Sequence, residues 1–131
     1  MKLLPGLDPT AYVSSLPGVS HALLLNDDGT FSGGAFKMAN YPDAWREGLV
    51  DFVKSVEDAI SARARTLSES NETEFHPVSN WLYTGGKWGV CVSRVSDNND
   101  STRIVAAFFL LGHADIGAIF TAMVASDWSS L

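Results

Sequence analysis

An α+β fold, with one five-stranded antiparallel sheet and helices packed on it, is predicted by three features of the sequence. Two apolar runs are joined by a tight Asp-Asp-Gly, one long stretch has helical periodicity, and three more strand-like runs precede a last helical stretch. The expected order is α-β-β-α-β-β-β-α. A chain of 131 residues suits a single domain spanning 1–131, because a domain of that size buries roughly two thirds of the surface its unfolded chain exposes.

Asp8 is placed to cap a short helix with Pro9 at its first position, and Pro17-Gly18 ends it. Val19 to Asn26 is a near-continuous apolar strand, Asp27-Asp28-Gly29 a turn, and Thr30 to Phe36 the returning strand. A helix is expected from Asp43 to about Ser68. Its Trp45, Leu49, Phe52, Val53, Val56, Ile60, Ala64 and Leu67 recur at three- and four-residue steps, and Lys54, Glu57, Asp58, Arg63 and Arg65 are expected on the solvated face. "SESNETEF" then reads as a loop; its Asn71-Glu72-Thr73 has meaning as a glycosylation triplet only in a secreted chain. The last half reads as "VSNWLYT", a turn at Gly85-Gly86, "KWGVCVSRV", the polar tip "SDNNDST", "RIVAAFFLL", and a helix from Ala114 to about Ser126.

Composition excludes several roles. Apolar residues make up 46% and aromatics 11%, too many for a disordered chain despite a net charge of -6. Nine basic residues stand against fifteen acidic ones without forming a stripe, so no nucleic-acid partner is expected. "MKLLPGLDPT" lacks a secretory apolar core, and a lone Cys91 makes no internal disulfide; both fit a cytoplasmic protein. Ile104 to Ala125 has the length of a membrane span, but Gly112, His113 and Asp115 interrupt it, so a strand, turn and helix are expected and no membrane.

Residues with chemical potential do not assemble into a catalytic, cofactor or metal motif. Gly33-Gly34 and Gly85-Gly86 lack phosphate-loop spacing, and "NDDGT" lacks the span and terminal glutamate of a calcium loop. His21, His76, His113 and Cys91 have no ligand-like spacing. His113 fits a hydrogen-bonded turn or cap residue, and Cys91, between Val90 and Val92, a packing thiol. Trp81 and Trp88 flank the glycine turn and read as a cross-strand pair, or as a platform for a flat ligand.

With this order of elements, the "LPGV" entry into a hairpin turning at "DDG", the long amphipathic helix and the closing "LLGHADIGAIF", the chain resembles the roadblock/dynein light chain family over roughly Leu16 to Ala125. Asp115 stands where that family usually has asparagine. Trp81, Gly85, Gly86, Trp88 and "GVCV" look most like a bacterial branch of it. The resemblance implies a homodimeric interaction platform or scaffold, often one that binds a small GTPase or joins a larger complex. It brings no catalytic residue.

The expected activity is therefore non-enzymatic. On the long helix, Ala44, Gly48 and Ala59 are small enough for another helix to approach, and Trp45 and Phe52 add apolar area, so these five residues are the expected dimer interface. The alternative is a sensor of similar architecture, with a small-ligand pocket between sheet and helix lined by Phe31, Trp81, Trp88 and Phe109.

Overall fold

Asp8 caps the first helix through its Oδ1, which accepts from the Thr10 backbone N–H at 3.0 Å, and Pro9 opens the helix. The computed structural model describes residues 8–69, 80–96 and 102–125. Its elements are α1 (Pro9–Ser14), β1 (Val19–Asn26), β2 (Phe31–Phe36), α2 (Asp43–Glu69), β3 (Asn80–Gly85), β4 (Trp88–Ser96), β5 (Thr102–Leu110) and α3 (Ile116–Ala125), with a 3-10 turn at Leu111–His113. The strands lie in the order β2-β1-β5-β4-β3, all antiparallel. This is the α+β architecture that the sequence predicts.

The alternation of side chains along each strand divides the core into two layers. Val13 of α1 with Ile119 and Met123 of α3 cover one face, over Ala22, Cys91, Val105, Ala107 and Phe109. α2 covers the other, where Val53, Leu49, Val56 and Ile60 meet Leu23, Leu25, Val90, Val92, Ile104 and Phe108. The backbone of α2 stands further off the sheet than those of α1 and α3, so that side chains bridge the gap.

Boundaries shift slightly from expectation. The second hairpin turns at Gly86-Lys87, because Gly85 still pairs with Trp88; Gly86 takes the positive φ, +61°. The first hairpin turns at Asp27-Asp28-Gly29, with Gly29 at φ +86° and Thr30 held by Asp28 through both its N–H and its hydroxyl. The register slips between Leu24 and Leu25, where Gly33 and Phe31 are the successive partners, so Ser32 is the extra residue of a bulge in β2. Asp115 caps the last helix, accepting from the Ala118 N–H at 3.0 Å, so this helix starts at Ile116 rather than Ala114. The "SESNETEF" loop beyond Glu69 and most of the "SDNNDST" tip lie outside the described residues.

Gly89 is fixed by a close approach. It pairs with Phe109 across β4 and β5, and a Cβ at this position would lie 2.5 Å from the buried Phe109 ring. Gly89→Ala is therefore expected to lower the unfolding free energy in a urea melt by about 1–3 kcal/mol. A loss below about 0.5 kcal/mol, the range of ordinary surface changes, would show that the ring moves aside freely.

Candidate functional site

The sheet-facing side of α2 carries a charge. Glu57 is 4% exposed, although its place beside the apolar stripe reads as solvated. At about 100° per residue it lies only about 40° round the helix from Val53, which is within the core-facing arc. Its Oε1 accepts from the Trp81 indole N–H at 2.5 Å, and its Oε2 accepts from Nε and Nη2 of Arg94 at 2.7 and 2.6 Å. Arg94 follows Val90 and Val92 on the inward positions of β4, and its Nη1 also lies 3.6 Å from Asp27 at the hairpin turn. A buried carboxylate is tolerated because both oxygens are partnered.

On the N-terminal side of this clamp, α2 and the sheet part to leave a cleft of about 380 Å³. Buried Val90 and Phe108 lie at its base, Leu49 and Phe52 come from α2, and Tyr83, Trp88, His21 and Tyr41 complete an aromatic wall. The His21 ring lies 4.7 Å edge-on from Tyr41 and 5.9 Å, nearly parallel, from Trp88; Phe52 and Tyr83 meet edge-on at 5.0 Å. Nδ1 of His21 is buried, and no hydrogen bond of normal geometry reaches it. Burial holds the His21 ring below its usual pKa, an effect the Ser20 backbone partly offsets. Trp88 and Tyr83 stay 44% and 47% exposed at the rim.

This cleft differs from the pocket expected from sequence, with which it shares Trp88. Phe109 lies on the opposite face of the sheet, one position along the two-residue alternation from Phe108. Trp81 is spent on Glu57, and Phe31 sits on the outer strand beneath the Arg46 guanidinium, 4.5 Å from the ring centre. Trp81 and Trp88 are not a cross-strand pair either, since their partners are Val92 and Gly85. His21 and Tyr41 escape sequence reasoning because they come from a bulged strand and an irregular loop; the signal available was the inward register of His21 with Leu23 and Leu25.

Ala44, Gly48 and Ala59 are all exposed, as is Trp45 at 56%; Phe52 is half-buried against Tyr83. The structure thus sets Phe52 at the cleft and the three small residues on the outer face of α2. His113 is exposed and lies in the 3-10 turn Leu111–His113, as a turn residue; the cap of the last helix is made by Asp115. His76 lies outside the described residues, among which no cluster of His, Cys, Asp and Glu is fit to hold a metal ion.

Cys91 is fully buried, and burial pushes its thiol up to about 12. A thiol reagent is expected to label it slowly in the native state and rapidly in denaturant; fast native labelling at neutral pH would refute this burial. For the clamp, Glu57→Ala strands Arg94 and the Trp81 N–H, so a loss of roughly 3 kcal/mol is expected in urea unfolding. Glu57→Gln, which keeps an acceptor for Trp81, is expected to cost about 1–2 kcal/mol. Equal melts for all three proteins would show that the clamp contributes nothing.

No protein-family model and no curated protein matches the sequence. Solved structures do. The gliding protein MglB from Thermus thermophilus superposes with a TM-score of 0.63 at 14% identity, over 84% of this chain and 73% of that one. Myxococcus xanthus MglB gives 0.60 at 11% identity, over 82% and 76%. A Roadblock/LC7 domain from Streptomyces avermitilis gives 0.57 at 16% identity, over 88% and 84%. No helix among the described residues is long and apolar enough to cross a membrane. With the three α-helices of the described residues sorted two and one over a five-stranded antiparallel sheet, the chain has the roadblock/LC7 fold.

Proposed function

We infer that the chain is a non-enzymatic, cytoplasmic interaction module, one domain over 1–131, that works as a homodimer built on α2 and holds a further protein. One observation carries this reading. A step of about 100° per residue sets Ala44, Gly48, Ser55, Ala59 and Ala62 in one narrow arc on the side of α2 away from Val53, and all five are exposed. At about 1.5 Å per residue the helix is about 40 Å long, so such a stripe offers a second helix a close approach along most of its length. Trp45 and Phe52 flank it on one edge.

Gly48 sharpens the argument. Exposed glycine inside a helix is about 1 kcal/mol less favourable than alanine, and nothing lies within 4 Å of where its Cβ would be. Within one copy, then, the glycine relieves no clash; against a second helix it would. An MglB structure with a tetrameric arrangement shares the fold, with a TM-score of 0.65 at 16% identity over 92% of this chain and 82% of that one, which supports assembly between copies of this chain. The resemblance of the sequence to roadblock proteins points to a small GTPase, or a larger complex, as the protein held. The buried, high-pKa Cys91 supports a role without nucleophilic chemistry.

Light scattering at micromolar concentration is expected to give about twice the 14.1 kDa chain mass. Gly48→Trp and Ala59→Arg are expected to shift it toward the monomer while circular dichroism stays unchanged, since both positions are open in a single copy. A parent protein that remains a folded monomer when its concentration is raised tenfold would remove the dimer reading.

A further inference from the structure

The cleft between α2 and the sheet is built for something smaller than a helix. Its volume of about 380 Å³ is within the range of roughly 300–1,000 Å³ typical of small-molecule sites. Its base is the fully packed core, Val90 at 1% and Phe108 at 5% exposure, so it is a recess in the folded chain and not a groove between loose elements. Aromatic rings line it in two groups, His21 with Tyr41 and Trp88, and Phe52 with Tyr83. Gly85 and Gly89 border it with bare backbone.

Two properties define what fits. Among the described residues no Asp, Glu, Lys or Arg lines the cleft, so an ionic ligand would lose its hydration there without gaining a counter-charge from them. Flat rings, by contrast, stack or meet edge-on with surrounding aromatics. The second property is the imidazole of His21 among these rings. His21 lines the cleft, and among the described residues no hydrogen bond of normal geometry reaches its buried Nδ1. A neutral imidazole offers a single donor or a single acceptor there.

We propose that this cleft binds an uncharged planar heteroaromatic small molecule, held between the two groups of rings and hydrogen-bonded along one edge to His21. The site faces the sheet, whereas the small residues of the proposed dimer stripe face away from it, with Phe52 common to both, so variants outside Phe52 test the two assignments separately.

The test is an amide NMR titration of the full chain with two probes of about ten non-hydrogen atoms, quinoline, whose ring nitrogen accepts, and indole, whose N–H donates. One of them is expected to bind saturably with a Kd of about 1 mM or tighter, within reach of a fragment of that size, and to shift the amides of Gly85, Gly89 and Val90. His21→Leu is expected to weaken binding about fivefold, the worth of one hydrogen bond, and Leu49→Trp to abolish it by filling the cleft. Should Leu49→Trp fail to fold, Tyr83→Ala, altered at the exposed rim, is expected to weaken the same probe severalfold. Ala59→Arg should keep the parent's affinity whether or not it splits a dimer. Absence of saturable binding by both probes overturns the proposal, as does binding that His21→Leu and the folded cleft variants leave unchanged. If the cleft amides shift on dilution of the protein alone and neither probe competes, the occupant is a second copy and the proposal fails.

Discussion

The contact among Glu57, Arg94 and Trp81 governs how α2 sits on the sheet. A helix held by aliphatic side chains alone can rotate a little or slide by part of a turn at small cost, because apolar contact is non-directional. A carboxylate gripped by a guanidinium fork on one oxygen and an indole N–H on the other has no such freedom. The clamp is poor evidence of net stability, since the desolvation of a buried ion pair consumes much of its attraction. Its effect is to select one setting of the helix, with the cost of misplacement concentrated on a charge whose partners among the described residues are Arg94 and Trp81.

That setting explains how one helix presents two different surfaces. The stand-off of α2 leaves volume that large side chains fill near the clamp, where Val53 and Ile60 reach the sheet. Toward the N-terminus the wall is aromatic, and rings that meet edge-on do not interdigitate as branched aliphatics do, so space remains between Phe52 and His21. The same rotation turns Ala44, Gly48 and Ala59 away from the sheet. On the opposite face, α1 and α3 lie closer, over a core that includes small residues such as Ala22 and Ala107. Side chains there have no such gap to bridge, and this asymmetry places both candidate surfaces on α2.

Features governed by local periodicity were legible in the sequence. The Asp8 cap, the Asp-Asp-Gly turn, the bounds of β1 and the length of α2 depend on neighbours within a few residues, and they fall where the residues predict. Relations between distant strands were not legible. Phe108 and Phe109 look alike in sequence, but one faces the cleft and the other the opposite core, and the choice depends on the register with β1 and β4. Glu57 misleads for the same reason: a charge beside an apolar stripe reads as solvated unless its partner is known, and Arg94 lies 37 positions away. The hint was present on both elements, in a glutamate four residues after Val53 and an arginine at an inward strand position after Val90 and Val92.

Identities of 11–16% to the similar structures carry the arrangement of the chain and leave its specificity to particular side chains. In this molecule those side chains divide by chemistry. The outer stripe of α2 has almost no side chain to offer, so what it can recognise is shape, and a second helix of equally small residues is the surface that matches it best. The cleft has rings that carry a few polar atoms, the His21 imidazole, the Tyr41 and Tyr83 hydroxyls and the Trp88 indole N–H, so it can recognise flatness and hydrogen bonds at a ring's edge. Both are set by a single rotation of α2, which the Glu57 clamp fixes. A ligand that wedges between Phe52 and the sheet therefore pushes against the helix whose far side would meet the partner, and the rigidity of that clamp decides whether the push is absorbed locally or carried to the outer face.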